Sequence, residues 1–351
     1  MMETADTSLA KQKHIDYFKR HLYLIPACLF VLDSTRLSIA FFSISGLEIL
    51  GALKDINDDN KKSMCNWIYG LQIHPTEDGD CSRCGFQGTD TFVTLENGVA
   101  TNCNKMFANG HLAMTYTGLA SLLILGDDLS RVNKRAVIKG VAALQQEDGS
   151  FAATLMGSEN DMRFVYCACC ICYILQDWSG MDMEKTLSYI RNSFSYDFGF
   201  GQGPDLESHG GVTYCAVASL VLMNQLTETL SKKQIEGLRR WAIMRQVSGF
   251  QGRANKQEDT CYAFWVGATL KMLDFYQMVN FEENRKYIMS TECSIMGGFS
   301  KVRDVNPDPL HSYLGLCGLS FMGEKGLEEV HPALNMSMRA ANFLHKLHQS
   351  W

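Results

Sequence analysis

Three side chains of types that bind transition metals, Asp259, Cys261 and His311, stand at the start of two similar segments about fifty residues apart. Residues two apart diverge within a regular helix, but at a helix start the backbone can turn both toward one ion. A carboxylate, a thiolate and an imidazole suit zinc with its fourth coordination position open. The alternative is that no metal binds and that the three residues are a helix cap, a buried cysteine and a core histidine. The equivalent positions in neighbouring repeats favour zinc.

Cationic residues are concentrated close to the same point of the sequence. Arg253 and Lys256 precede Asp259, and His209 precedes the corresponding segment of the previous repeat. The N-termini of helices add partial positive charge, so a phosphate or diphosphate is the expected ligand. An exposed, solvated Arg and Lys without a ligand remains the alternative.

Aromatic residues are frequent in the apolar segments that follow. Tyr166, Tyr214, Phe264 and Trp265 alternate with Gly and Cys, which predicts an apolar cavity, although aromatic residues at helical spacing also fill ordinary cores.

We predict that two cysteine clusters bind no metal. Cys81 and Cys84 form at most half of a zinc site, because the other cysteines with C-x-x-C spacing, at 167–170 and 169–172, lie in an apolar segment. A second cluster lies in an apolar segment and indicates packing: Cys167, Cys169, Cys170 and Cys172.

An internal repeat of about fifty residues organises these side chains. Five segments share a Gly-aromatic turn, at 85–86, 149–151, 199–200, 249–250 and 298–299. Each turn precedes an apolar segment with a tyrosine at one place, namely Tyr116, Tyr166, Tyr214, Tyr262 and Tyr313, and a sixth unit carries Phe41 there. Repeats of this length indicate stacked structural units.

The repeat predicts an all-α fold. Amphipathic stretches such as AVIKGVAALQQ are typical of surface helices, whereas the tyrosine segments are apolar all round. We therefore expect six pairs of an outer and an inner helix, closed into an α/α toroid. The expected organisation is one domain over 1–351, with a short polar N-terminal segment at about 1–14 and a long loop at 80–109.

Composition excludes several classes of protein. The chain has 351 residues, 46% of them hydrophobic, and a formal charge of −6, which excludes a disordered chain and argues against nucleic acid as a partner. The N-terminus has no apolar signal region, and the longest apolar run, 164–175, is too short to span a bilayer. The 13 cysteines are expected to be reduced thiols of a cytoplasmic protein.

The motifs EDTCYAFW, PLHSYLG and LESHGGVTYC, set in six helix pairs, resemble the β subunits of protein prenyltransferases. The resemblance covers nearly the whole chain and implies an obligate heterodimer with a helical α subunit. It also implies transfer of an isoprenoid from its diphosphate to the cysteine of a C-terminal CaaX sequence as a thioether.

The resemblance implies roles for individual residues. It implies that one zinc ion per β subunit is bound by Asp259, Cys261 and His311. The implied diphosphate-binding residues are His209, Arg253, Lys256, Tyr262 and Lys301. The implied isoprenoid-binding residues are Ser38, Arg163, Tyr166, Gly211, Cys215 and Trp265. The implied peptide-binding residues are His111, Ala113, Glu159, Arg163, Phe164 and Leu310.

Two positions distinguish the branches of this family. Ser38 stands where farnesyltransferases have a tryptophan that shortens the isoprenoid tunnel, so a 20-carbon donor is implied. Lys301 stands where farnesyltransferases have a magnesium-binding aspartate, so Mg²⁺ is not expected to be required. Both positions resemble the type I geranylgeranyltransferases, whose donor is geranylgeranyl diphosphate.

The substrates implied for this branch are CaaX proteins, typically with Leu at X, such as Rho-, Rac- and Rap-type GTPases and G-protein γ subunits. The alternatives are a farnesyltransferase β subunit, a Rab geranylgeranyltransferase β subunit and a non-catalytic α/α-barrel scaffold. His111 and Arg163 favour direct CaaX recognition over the Rab type. An intact zinc triad beside a cationic cluster argues against a scaffold.

Overall fold

Helices form nearly all of the regular structure in the described part of the chain. The computed structural model describes residues 8–25, 27–89, 93–96, 99–102 and 108–351, with only the backbone at 27–30 and in the two four-residue strands. In these ranges the helices are α1 (Lys11–Tyr23), α2 (Arg36–Ile49), α3 (Asp58–Gly70), α4 (Leu112–Leu125), α5 (Lys134–Ala143), α6 (Met162–Leu175), α7 (Met183–Asn192), α8 (Gly210–Leu222), α9 (Leu226–Thr229), α10 (Lys232–Ile243), α11 (Tyr262–Met272), α12 (Phe281–Met289), α13 (Pro309–Phe321) and α14 (Met338–Ser350).

Short strands and 3₁₀ turns connect the helices. Three antiparallel two-stranded ribbons are described: β1 (Gln72–Ile73) with β2 (Gly85–Phe86), β3 (Val93–Glu96) with β4 (Val99–Asn102), and β5 (Val330–His331) with β6 (Met336–Ser337). The 3₁₀ segments are Ala27–Thr35, Leu53–Asp55, Trp178–Gly180 and Tyr276–Met278.

Six inner helices close into a ring. In order, α2, α4, α6, α8, α11 and α13 each pack on the next, and α13 packs back on α2. The outer helices α1, α3, α5, α10 and α12 pack against α2, α4, α6, α11 and α13 respectively. This arrangement confirms the α/α toroid of helix pairs predicted from the repeat.

The Gly-aromatic turn builds each repeat in the same way. At the end of an outer helix one residue pairs with a phenylalanine across the turn, as Gln145 does with Phe151 and Gln246 with Phe250. The turn phenylalanines are all fully buried: Phe86, Phe151, Phe200, Phe250 and Phe299. Each one therefore fixes the point from which the next inner helix enters the ring.

The inner helices carry few charged residues, because they are buried on nearly every side. In α8, for example, all but two of the thirteen residues are buried. Small residues allow this close packing, since a Cβ at Gly318 of α13 would lie 2.6 Å from the Ala263 side chain of α11. None of the helices in the described ranges is long and apolar enough to cross a membrane.

The C-terminal part of the chain is bonded to the inner helices of the ring. Residues 330–337, which we call the plug, form a turn between β5 and β6 that is bonded to the ring tyrosines. The Tyr116 hydroxyl donates to Leu334 O (2.9 Å), Tyr166 to Ala333 O (3.0 Å) and Tyr313 to Asn335 O (3.0 Å). The repeat tyrosines thus hold the plug.

One assignment within the repeat was wrong. Tyr262 was aligned with the ring tyrosines, but it is the first residue of α11 and lies at the rim. Phe264 occupies the ring place instead: it is fully buried and its ring centroid lies 5.1 Å from that of Tyr214. The ring position of the fifth inner helix therefore lies two residues later in the chain than the tyrosine spacing predicts.

Regular structure is present both in the N-terminal segment and in the long loop. Helix α1 begins at Lys11, within the polar segment expected at about 1–14, and His14 is fully buried. The long loop at 80–109 contains the β3–β4 hairpin. Residues 1–7, and within the loop 90–92, 97–98 and 103–107, lie outside the described ranges.

Candidate functional site

A row of polar residues lies at the N-terminal ends of the inner helices. Five positions before each ring aromatic stand His111, Asp161, His209, Asp259 and Asp308. Each accepts a hydrogen bond from a backbone N–H at the start of its helix, as His209 Nδ1 does from Gly211 at 3.1 Å. Because the helices form a ring, these caps converge on one rim of the toroid.

Asp259, Cys261 and His311 meet at this rim. One ligand atom from each lies within 4.8 Å of the others. Asp259 and Cys261 are buried, and the Asp259 Oδ1 accepts the Cys261 N–H at 2.9 Å. The His311 Nε2 lies 3.2 Å from the same carboxylate. Among the described residues, this is the one cluster of three or more His, Cys, Asp or Glu that could hold a metal ion.

The donor set fits zinc. Tetrahedral zinc has ligand bonds of about 2.0–2.3 Å, so its ligands are about 3.5 Å apart, close to the separations seen here. The His311 Nδ1 is hydrogen-bonded to Asp308 Oδ2 at 2.6 Å, which leaves Nε2 for the metal. A carboxylate behind a histidine ligand is the usual second partner at such sites.

The titration behaviour of the cluster agrees with a cation site. Burial raises the pKa of the Cys261 thiol well above its usual range. Burial opposes ionisation of Asp259 too, but hydrogen bonds from His311 and Cys261 outweigh it and lower the carboxyl pKa. Although burial disfavours the imidazolium, Asp259 and Asp308 raise the pKa of His311 to about 9. The cluster therefore holds positive charge against two carboxylates.

A second group of side chains extends from the cluster along the rim. The Tyr262 hydroxyl and His209 Nε2 are 3.0 Å apart, and His209 Nδ1 accepts backbone N–H groups, so Nε2 carries the proton. Burial, and then Arg253, lower the pKa of His209. The Lys301 Nζ lies 3.8 Å from Asp259 Oδ2. The structure thus pairs a hydroxyl with an imidazole N–H and places an ammonium beside Asp259.

Arg253 and Lys256 lie further out. Arg253 is paired with Glu207 at 2.9 Å, and Lys256 is exposed in the loop before Asp259. Both are at the same rim, within reach of an anion only if their side chains turn toward it.

Five of the six residues expected at the peptide, namely His111, Ala113, Glu159, Arg163 and Phe164, lie at or just before the start of α4 and α6. Arg163 pairs with Glu159 at 2.8 Å and with Asp161 at 2.7 Å. The ring centroids of His111 and Phe164 are 5.9 Å apart. Ala113 is half-buried at the start of α4. Leu310 is half-buried on α13, beside His311 and away from this group.

The residues expected at the isoprenoid lie on the inner helices α2, α6, α8 and α11. Trp265 and Gly211 are half-buried, and Cys215 is buried with 6% exposure. The Ser38 hydroxyl on α2 lies 3.6 Å from the Met114 sulfur on α4. Tyr166 is buried, and its hydroxyl lies 3.0 Å from that of Tyr214 as well as bonding the plug. Its polar end is therefore occupied within the protein.

Four supporting residues were missed by the sequence reasoning. Asp308 orients His311, Glu207 holds Arg253, and Asp161 and Gln202 hold Arg163 in place, since Gln202 Nε2 donates to Asp161 at 2.8 Å. Asp161 and Asp308 carry a signal in the sequence, because both stand five residues before a ring aromatic. Glu207 and Gln202 carry no such signal.

The family follows from the comparisons with known proteins. The prenyltransferase alpha-alpha toroid domain matches residues 9–336. The chain therefore belongs to the prenyltransferase alpha-alpha toroid family.

Two relatives narrow this to a branch. The geranylgeranyl transferase type-1 subunit beta of Dictyostelium discoideum is 39% identical, over 94% of this chain and 96% of the relative. The protein of the same name from Arabidopsis thaliana is 38% identical, over 97% of this chain and 92% of the relative.

A solved structure agrees with these relatives. The Candida albicans protein geranylgeranyltransferase-I complexed with GGPP superposes with a TM-score of 0.86 and 26% identity, covering 97% of this chain and 99% of that chain. The resemblance to the type I branch of the prenyltransferases is confirmed.

Proposed function

We propose that this chain is the catalytic β subunit of a heterodimeric protein geranylgeranyltransferase type I. It transfers the geranylgeranyl group from geranylgeranyl diphosphate to the cysteine of CaaX proteins. The observation that carries the proposal is the Asp259–Cys261–His311 cluster beside the His209–Tyr262 pair, in a chain whose relatives bear this name.

Zinc is the metal we assign to the cluster, held by Asp259 Oδ, Cys261 Sγ and His311 Nε2. When bound, it would supply a Lewis acid that lowers the pKa of the substrate thiol from about 8.5 into the neutral range. Asp308 keeps the His311 ring in the orientation that presents Nε2. No general base among the protein side chains is needed for this step.

The diphosphate lies against the cationic side of the rim. Tyr262 is protonated because burial raises its pKa, and its hydroxyl donates a hydrogen bond to the diphosphate. The His209 imidazole and the neighbouring, half-buried Arg253 are further donors. Lys301 stands next to Asp259 and neutralises charge that develops on the leaving diphosphate. Lys256 and the helix N-termini add to the same field. A lysine at this place makes Mg²⁺ unnecessary.

The apolar groups hold the isoprenoid tail while the rim holds the peptide. The isoprenoid tail contacts Ser38, Tyr166, Gly211, Cys215 and Trp265, with Arg163 at the entry of the isoprenoid site. The CaaX end of the protein substrate contacts the residues that the resemblance implies: His111, Ala113, Glu159, Arg163, Phe164 and Leu310. The sulfur joins C1 of the isoprenoid and diphosphate leaves, with the thiol proton released to solvent.

The partner we assign is a prenyltransferase α subunit, and the protein substrates are Rho-, Rac- and Rap-type GTPases and G-protein γ subunits. We place the enzyme in the cytoplasm. In support, the eleven cysteines whose side chains are described are all free thiols.

Donor competition tests the function. The chain is co-expressed with an α subunit and given a CaaL peptide with equal geranylgeranyl and farnesyl diphosphates. The expected product is mainly the 20-carbon thioether, formed without added Mg²⁺. A mainly 15-carbon product would identify a farnesyltransferase instead, and no transfer by a zinc-loaded heterodimer would favour a scaffold.

A further inference from the structure

The first repeat carries an insertion that the proposed chemistry does not use. In the other repeats the residues paired across the Gly-aromatic turn are four to seven positions apart, as Gln145 and Phe151 are. In the first repeat the pair is Gln72 and Phe86, fourteen positions apart. The extra residues contain Cys81 and Cys84.

The insertion folds so that Cys81 and Cys84 are the first and fourth residues of a tight turn. The Cys84 N–H donates to Cys81 O at 2.9 Å, which defines a β-turn. Such a turn brings its first and fourth Cα atoms within about 7 Å, and a disulfide requires roughly 4.4–6.8 Å. Asp80 holds the turn, accepting the Ser82 N–H at 2.9 Å. Little backbone movement is needed to join the sulfurs.

The two thiols differ in accessibility. Cys81 is half-buried and its thiol lies 3.5 Å from Gly79 O at the surface, whereas Cys84 is 6% exposed. Burial, and next the neighbouring Cys81, raise the pKa of Cys84 to about 12. An accessible cysteine beside a protected one is the arrangement of an attacking and a resolving thiol.

We propose that Cys81 and Cys84 form a reversible disulfide when the enzyme meets a two-electron oxidant of the peroxide class. The Cys81 thiolate attacks a peroxide oxygen, which breaks the O–O bond and gives a sulfenic acid and hydroxide. The Cys84 sulfur then displaces hydroxide from the Cys81 sulfur and forms the S–S bond. Its proton leaves with hydroxide as water, so two thiols and one hydrogen peroxide give one disulfide and two waters.

This turn is directly bonded to the start of α4. Gly110 N–H donates to Arg83 O at 2.8 Å, and His111 N–H donates to Phe86 O at 3.0 Å. A covalent bond across residues 81–84 tightens the turn and shifts Arg83 O, and with it the cap residue His111. This step rests on the proposed function, in which His111 contacts the peptide. Oxidation therefore weakens CaaX binding and leaves unchanged the diphosphate-binding residues at the start of α8 and α11.

The test uses the purified heterodimer with zinc bound. It is treated with one equivalent of hydrogen peroxide, its remaining thiols are blocked with a maleimide, and its peptides are mapped by mass spectrometry. A peptide linked between Cys81 and Cys84, and released by dithiothreitol, is expected. Cys81→Ser removes this link, whereas the matched variant Cys65→Ser, at a half-buried cysteine of α3, retains it.

Kinetics of the same samples test the consequence. The oxidised wild type is expected to show a severalfold higher KM for a CaaX peptide, with unchanged KM for geranylgeranyl diphosphate, and Cys81→Ser is expected to show neither effect. Maleimide on both Cys81 and Cys84 after peroxide would overturn the disulfide. A linked peptide with unchanged peptide KM would overturn the coupling to His111. The mapping requires no activity, so failure of the proposed function is seen separately.

Discussion

At the scale of single residues, the site depends on side chains that are few, buried and held by their neighbours. Asp259 and Cys261 are brought together by a hydrogen bond between side chain and backbone, and His311 is added from the next helix. Each ligand therefore has its position fixed before any metal arrives, which reduces the ordering that metal binding requires.

Cys261→Ala is expected to lose zinc and activity together, because it removes the thiolate ligand and leaves two. Metal analysis of the purified heterodimer checks this, with Cys293→Ala, at a half-buried cysteine one repeat later, as the control. A full complement of zinc in Cys261→Ala would show that this residue is not a ligand.

Asp308→Asn is expected to weaken zinc binding about 10- to 100-fold, because the Nδ1 partner of His311 loses its charge. Competition with a chelator measures the affinity. Asp304→Asn, on the same loop, is the control. Equal affinities for the two variants would refute a positioning role for Asp308.

Ser38→Trp is expected to move donor preference from the 20-carbon toward the 15-carbon diphosphate. The indole would extend from α2 toward Met114 on α4, where the serine hydroxyl now lies. The donor competition assay measures the change, and Ser38→Thr serves as the small-residue control. An unchanged product ratio would contradict the role of Ser38 in chain-length selection.

At the scale of elements, the ring tyrosines connect inner helices to the plug. The hydroxyls of Tyr116, Tyr166 and Tyr214 accept or donate among themselves and end on carbonyls of the plug. Burial raises the pKa of each of these phenols well above its usual range, so they stay protonated donors. The plug is thus held by the same repeat position that organises the sequence.

Tyr166→Phe is expected to destabilise the fold by about 1–2 kcal/mol, since it removes a buried hydrogen bond and keeps the ring. Thermal or urea unfolding of the heterodimer measures this, with Tyr173→Phe, half-buried on the same helix, as the control. A changed KM for the diphosphate donor at unchanged stability would show instead that the hydroxyl belongs to the isoprenoid site.

At the scale of the whole molecule, partly buried histidines tie stability to pH. Burial lowers the pKa of five histidines distributed around the structure: His21, His111, His209, His331 and His348. Each is mostly neutral when folded and titrates near 6.5 when unfolded. Their contribution to stability is therefore complete above about pH 6.5 and is lost as the pH falls below it.

The zinc-loaded heterodimer is expected to have a lower melting temperature at pH 5.5 than at pH 7.5. The zinc concentration is kept saturating, because without metal the raised pKa of His311 would stabilise the fold at the lower pH. His331→Asn is expected to reduce the difference between the two melting temperatures. Equal melting temperatures of the wild type at the two pH values would contradict the prediction.

The repeat made most of the fold predictable. A polar cap, a Gly-aromatic turn and an apolar helix recur with little change, so the same local physics applies to each repeat and the errors stay local. The misplaced Tyr262 is such an error: the sequence has two aromatic residues near the ring place, and only the packing of Phe264 on Tyr214 distinguishes them.

The candidate site was predictable where chemistry and repeat position coincide. Asp259, Cys261, His311 and His209 all stand near the start of an inner helix, and a ring of helices necessarily brings those starts together. Glu207 and Gln202 could not be found, because a Glu or Gln in a loop acquires its role only from the arginine or carboxylate that folding places beside it.

The sequence by itself determined the helix pairs, their closure and the chemistry available at one rim, because periodicity and residue type are local properties. Only the tertiary structure decided that the tyrosine hydroxyls bond the plug, that Asp308 stands behind His311, and that the Cys81–Cys84 turn is bonded to the start of α4. These facts are contacts between residues distant in the chain or directions of side chains, and both depend on how the helices pack.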